Sequence, residues 1–188
     1  MTAYDFLASR RSVPARLLGE PGPSDAQILD LLRLAVRVPD HGKLEPWRYL
    51  LIRGDARYRL GEIFRARHAE IDPAVQGATL EKDRLRFTFA PAVIAVVARV
   101  MADHRIPAQE QVLSAGLSAF TLLLGAQALG FDAQWLTGWA AYDHGIAQVL
   151  GLAPDERIVA FVHIGTAQGD VPERPRPDPA TLLTEWTG

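Results

Sequence analysis

Ala92-Val93-Ile94-Ala95-Val96-Val97-Ala98 is a run of seven residues with no polar side chain. Successive side chains on a strand point to opposite faces, so a strand that is apolar throughout lies centrally in a sheet covered on both sides. Toward the C-terminus, Pro107 is placed to open a helix that runs to about Gly130. After Glu110 that helix carries no charge, so it is expected to be buried nearly all round. Its small residues Ala115, Gly116, Ser118 and Ala119 would let a backbone or a flat ligand come close. Phe131 to Thr137 is then expected as a strand, Tyr142 to Leu150 as a short helix stopped by Gly151, and Ile158 to Ile164 as a further strand. The proline-rich run Val171 to Pro179 is extended. Leu182 to Trp186 either returns as an edge strand or docks on a partner.

Toward the N-terminus, Trp47 to Ile52 is expected as a strand, with a turn at Gly54-Asp55 and a helix over Arg57 to Glu70. Ser24-Asp25-Ala26-Gln27 has the form of a capping box, followed by Ile28, Leu31, Leu32, Ala35 and Val36 at helical spacing. Pro39 closes that helix. Thr2 can cap a first short helix with Asp5 at its third position. Strands and helices alternate without the regular βαβ rhythm, so an α+β or three-layer αβα arrangement fits. With no internal repeat and no boundary, residues 1–188 are expected to form a single domain with an extended C-terminal segment from about residue 168.

The 188 residues are 48% hydrophobic and 22% charged, which is enough apolar material for a substantial core. A formal net charge of −2 gives no general attraction to nucleic acid or to an acidic membrane. The absence of cysteine excludes disulfides, thiolate metal sites and a thiol nucleophile. The N-terminal MTAYDFLASRRS lacks the apolar region of a signal peptide. The apolar run from Leu113 to Leu129 falls short of a bilayer span and is interrupted by Ser118, Thr121 and Gln127. A cytoplasmic protein is expected.

Five groups of residues could carry chemistry. Arg10-Arg11-Ser12 offers two guanidinium forks and a hydroxyl for an anionic or carbonyl-rich ligand, or is a solvated helix end. Arg37-Val38-Pro39-Asp40-His41-Gly42 presents polar side chains on a stiff loop. There His41 could donate to a ligand, act as a general acid or satisfy a buried carbonyl. Trp47 could cover a planar ring or enter the core. Trp135-Leu136-Thr137-Gly138-Trp139 could line a flat-ligand site or simply pack. Arg174 and Arg176, on the proline-stiffened Glu173-Arg174-Pro175-Arg176-Pro177, could bind phosphate or remain solvated. The five histidines lack metal-ligand spacing, and neither GxSxG, GxGxxG nor GxxxxGK[ST] occurs. Anchors and aromatic surfaces without a protein nucleophile suit an enzyme whose cofactor does the chemistry.

These blocks, taken in order, resemble the nitroreductase family. Phe6-Leu7-Ala8-Ser9-Arg10-Arg11-Ser12 is similar to its opening RRS signature. Ala35 to Trp47 resembles its second block, in the small subgroup with R-x-P-D-H followed by P-W. Leu129-Gly130-Phe131, Trp135 to Gly138, Ile158 to Thr166 and Glu173 to Pro177 continue the likeness over nearly the whole chain. The resemblance implies a three-layer αβα fold with a mainly antiparallel sheet, and a homodimer that holds FMN non-covalently in shared sites between its subunits. It implies that Arg10, Arg11 and Ser12 hold the ribityl phosphate and the pyrimidine side. Arg37 and His41 would reach the flavin from the other subunit, and His41 could tune it. Trp135, Leu136 and Thr137 would run beside the isoalloxazine, with Arg176 and Arg174 near the phosphate. The implied reaction is ping-pong: NAD(P)H reduces FMN and leaves, and an electron-poor small molecule takes its place. The chain lacks the insertions of larger relatives and has Asp40-His41 where many carry paired serines. Quinones, enones and other acceptors therefore stand beside nitroaromatics. An FMN storage or delivery module with little turnover is the alternative. A purely structural protein would be colourless.

Overall fold

In the computed structural model, which describes residues 2–188, the apolar run at 92 to 98 lies inside a sheet between two helical layers. The elements follow as α1 (Ala3–Ala8), β1 (Leu18–Gly19), α2 (Asp25–Ala35), β2 (Trp47–Arg53), α3 (Asp55–Ile71), α4 (Ala78–Leu85), β3 (Ala92–Arg99), α5 (Ala108–Ala128), β4 (Asp132–Leu136), α6 (His144–Val149) and β5 (Glu156–Ala167). The strand order is β1-β5-β3-β2, and β4 also pairs with β5. Every pairing among the described residues is antiparallel.

The two-faced reading of β3 has a direct counterpart. Ala92, Ile94 and Val96 join Ile28 and Leu31 of α2 and Ala119 and Leu122 of α5 in one core. Val93 and Ala95 join Phe64 of α3, Ile146 of α6, Phe87 and Phe161 in the other. In that second core the Phe64 and Phe161 rings meet Phe87 edge-on, with centroids 5.0 and 5.1 Å away. His163 stacks on Phe87 at 5.3 Å and is fully buried. Trp47 is a core residue against Ala98 and Ala115.

Both N-terminal caps form as their sequences dictate. The Thr2 hydroxyl accepts from the Asp5 N–H at 3.1 Å, and Ser24 accepts from Gln27 at 3.3 Å. The helix expected from Arg57 begins two residues earlier, at Asp55, because Gly54 takes a left-handed φ of 55° and turns β2 directly into it. Helix α4 was not expected from the sequence. It packs on α3 where Gly61 lets the two helices touch; a Cβ there would collide with the Arg84 carbonyl oxygen.

Three expectations need correction. Helix α5 is not buried nearly all round: Leu113, Leu117 and Phe120 stay 59%, 41% and 38% exposed. A sheet and a neighbouring helix cover only part of a cylinder, and these residues, at i, i+4 and i+7, share the uncovered side. The apolar segment also does not fall short of a span, because α5 has 21 residues and is by length and composition able to cross a membrane. Half of its apolar stretch is nevertheless buried within the fold, as in the core helix of a soluble protein. Finally, of the two readings of residues 182 to 186 the edge strand does not form; Leu182, Leu183 and Trp186 are each more than two-thirds exposed.

Candidate functional site

Strand β4 has β5 on one side only, and the chain from Ser9 to Arg16 runs along its other side. The Val13 N–H donates to the Ala133 carbonyl at 3.1 Å, and the Ala15 N–H donates to Gln134 Oε1 at 2.5 Å. Two clefts open along this seam. One, of about 590 Å³, lies between Arg11, Gln127, Asp132 and Asp170. The other, of about 710 Å³, has Trp135, Leu136 and Thr137 on one wall and Arg16, Lys82 and Arg86 around it. Among the described residues no carboxylate lines the second cleft, so three cations stand beside the apolar surfaces of Leu85, Phe89 and Leu136. Such a site suits a flat, electron-rich or anionic ligand.

Arg86 is the cation fixed in place. Its Nη1 donates to the Thr137 carbonyl at 3.0 Å and its Nη2 to Asp83 Oδ1 at 3.4 Å. Its Nε is buried and has no partner among the described residues. Gly138, with φ of 85°, makes room for it: a Cβ there would sit 2.7 Å from Arg86 Nη1. Arg16 and Lys82 are exposed and make no ion pair among the described residues.

The remaining expected residues divide into two groups. Near the first cleft, Arg11 Nη1 donates to the Val171 carbonyl at 2.7 Å, and its Nε lies 3.2 Å from Glu173. Arg176 Nη2 reaches Glu173 at 2.8 Å and the Arg10 carbonyl at 3.5 Å. The Arg10 guanidinium lies over the Phe120 ring, 5.9 Å from its centroid. The Arg174 backbone N–H lowers the Glu173 pKa most, with Arg176 and Arg11 adding to it. Glu173 thus gathers Arg11 and Arg176 as an anion would. Ser12 and the Arg174 side chain are exposed at the same end.

Arg37 and His41 lie elsewhere, on the loop between α2 and β2. Arg37 is exposed, and His41 Nδ1 lies 2.7 Å from Glu110 at the start of α5. His41 is not the donor to a buried carbonyl that one reading allowed, because its ring is on the surface. The loop is shaped by Asp40, whose carboxylate accepts from the Leu44 and Glu45 N–H groups at 3.2 and 2.8 Å. Lys43 and Glu45 take positive φ there, at 55° and 49°.

Arg16, Lys82 and Arg86 were missed from the sequence. Arg16 lies four residues beyond Ser12, in the 3-10 turn Ala15–Leu17 that ends the same segment, and that spacing was the available signal. Lys82 and Arg86 belong to α4 and its end, where Asp83 is the one buried helical residue, so no apolar period marks the segment.

A family model described as "Nitroreductase family" matches residues 7–166. YdjA of Escherichia coli strain K12, which carries the provisional name NAD(P)H nitroreductase, is 32% identical over 168 residues, covering 89% of this chain and 90% of its own. A nitroreductase-like family protein from Bacillus cereus superposes with a TM-score of 0.84 at 23% identity, covering 100% of this chain and 97% of that one. A single-residue variant of NfnB from Sphigopyxis sp. strain HMH, described as an FMN- and NADPH-dependent nitroreductase, gives 0.77 at 21% identity with full coverage of both chains.

Proposed function

The chain belongs to the nitroreductase family, and from that premise we propose that it is a cytoplasmic, homodimeric oxidoreductase that moves electrons from NAD(P)H through bound FMN to an electron-poor acceptor such as a nitroaromatic or a quinone. The observation that carries this reading is the acid-free cleft of Arg16, Lys82 and Arg86 beside Trp135, Leu136 and Thr137. The residues fit the cofactor. Arg86 keeps a buried donor without a partner among the described residues, and Gly138 gives its guanidinium room at the cleft beside the Thr137 carbonyl.

In this reading residues 1–188 act as one FMN-binding domain whose tail, from about residue 168, supplies phosphate anchors. Trp135 and Leu136 offer apolar surface to the flat ring, and the cleft cations offset negative charge that accumulates during reduction. Arg10, Arg11, Ser12, Arg174 and Arg176 hold the phosphate end, with Glu173 giving way to it. FMN supplies the redox chemistry, accepting a hydride equivalent and passing two electrons on. No side chain need act as a nucleophile, so the chain's work is orientation and charge.

Anaerobic addition of NADH and NADPH, separately, to FMN-loaded protein tests the proposal. Loss of the visible flavin absorbance with either donor, followed by recovery on adding a quinone or nitroaromatic, is expected. Tight FMN binding without bleaching would favour storage or delivery. Failure to bind FMN in excess would end the reading.

Arg176 gives a second expected result. Arg176→Ala removes one charge-assisted phosphate contact, worth about 1.5–3 kcal/mol when formed. Because Arg176 is 42% exposed, solvent screening favours the low end of that range. FMN affinity measured by fluorescence titration should fall roughly tenfold, with the melting temperature of the apoprotein unchanged. Unaltered affinity would make Arg176 a solvated tail residue.

A further inference from the structure

We propose that Asp83 is a positioning residue for Arg86, and that Asp83, His68 and Trp139 together hold that guanidinium in one orientation at the cleft. This inference rests on the reading of the cleft as the FMN site. Asp83 is 2% exposed, and a buried carboxylate is costly unless its oxygens are satisfied. Three donors converge on it. His68 Nδ1 lies 2.5 Å from Oδ2, and Trp139 Nε1 and Arg86 Nη2 lie 3.2 and 3.4 Å from Oδ1. The His68 and Trp139 rings pack against each other at 4.7 Å, so the two other donors support one another.

Among the side chains of the cluster, Arg86 is the one that lines the ligand site; His68, Asp83 and Trp139 do not. An arginine left free spreads over many rotamers, and fixing it on binding costs side-chain entropy. Asp83 and the Thr137 carbonyl remove that freedom beforehand by holding Nη2 and Nη1. Arg16 and Lys82 have no such support, so they contribute charge, whereas Arg86 contributes charge in a set direction. Arg86 is tied to Thr137, on the wall assigned to the ring, and the Arg11 and Arg176 cluster lies at the other cleft. The positioning therefore acts on the ring end of the cofactor and not on its phosphate.

A double-mutant cycle on FMN affinity tests this. The apoproteins of the wild type, Asp83→Ala, Arg86→Ala and the double variant are titrated with FMN and followed by flavin fluorescence, with circular dichroism and melting curves to report the fold. Each single change should weaken binding about tenfold. The double variant should bind no more weakly than Arg86→Ala alone, because Asp83 acts through Arg86. A merely structural carboxylate would weaken binding again in the Arg86→Ala background, and that additivity would overturn the proposal. So would unaltered affinity in Asp83→Ala. If Asp83→Ala does not fold, Trp139→Phe and Asp83→Asn carry the same cycle, since each disturbs the cluster while keeping its shape. Unaltered affinity in Arg86→Ala would instead remove the reading of the cleft itself, and the positioning role with it.

Discussion

Co-expression of an Arg10→Ala chain with a His41→Ala chain is expected to restore turnover that is impaired in each homodimer. The geometry of one chain explains why. Arg10 lies over Phe120, and the neighbouring Ser9 Oγ accepts from Gln127 at 3.0 Å. His41 is tied to Glu110. Glu110 and Phe120 are ten residues apart on α5, so at 1.5 Å per residue the two sites of attachment are separated by about 15 Å. A single chain therefore keeps them apart. In the proposed homodimer the uncovered stripe of Leu113, Leu117 and Phe120 would meet the second copy. An antiparallel pair of α5 helices meeting at Leu117 sets Glu110 of one chain opposite Leu124 of the other, within the stretch that Arg10 and Ser9 cover. In the proposed homodimer that arrangement would bring His41 beside the Arg10 segment of the other chain. In the mixed dimer one site collects both defects, and the second has Arg10 and His41 intact. Differently tagged chains isolate that heterodimer, and its turnover should approach that of one intact site of the two. An FMN-loaded heterodimer as impaired as its parents would reject the division of labour, and a fully active monomer would reject the shared site.

The sequence revealed most where one local rule was strong enough to act alone. The all-apolar run at Ala92 needed cover on both faces, and it has it. Ser24 and Gln27 needed only each other to start α2. Helix α5 was found for the same reason, but its exposure was misjudged. Composition gives how apolar a helix is, not how many neighbours the fold provides, and Leu113 is as apolar as Leu122. The candidate site was legible in part. Trp135, Leu136 and Thr137 do line a cleft. Arg86 escaped notice because its role depends on Asp83, Thr137 and Gly138, which meet only after the chain folds. Glu173 was visible as a charge, but its place between Arg11 and Arg176 depends on the path of the tail.

Acid should destabilise the fold between pH 6.5 and 4.5 through one histidine that plays no part in the cleft wall. His163 is fully buried in β5, and neither ring nitrogen has a hydrogen-bond partner among the described residues. Burial pushes its pKa down from 6.5 to about 3, with the Arg86 charge adding to the shift. Between those values the unfolded chain carries the proton and the folded chain does not. Stability thus rises with pH, is fully present above 6.5, and is lost as pH falls toward 3. The slope approaches about 1.4 kcal/mol per pH unit for one proton, so the drop from pH 7 to 4.5 is about 2–3 kcal/mol. Carboxylates report lower in the scale. Glu156, held near 2 chiefly by its hydrogen bonds from Arg48, loses its contribution only below its ordinary 4.5. The window above 4.5 is therefore suited to His163. Urea unfolding of the wild type and of His163→Leu, at steps from pH 7 to 4.5, separates this histidine from every other titrating group. Leucine removes an unsatisfied polar ring from an apolar core, so the variant should be at least as stable at pH 7. Its advantage should grow by about 2–3 kcal/mol as the pH reaches 4.5. A difference between the two proteins that stays constant across that range would mean that the buried imidazole takes up its proton without unfolding the chain.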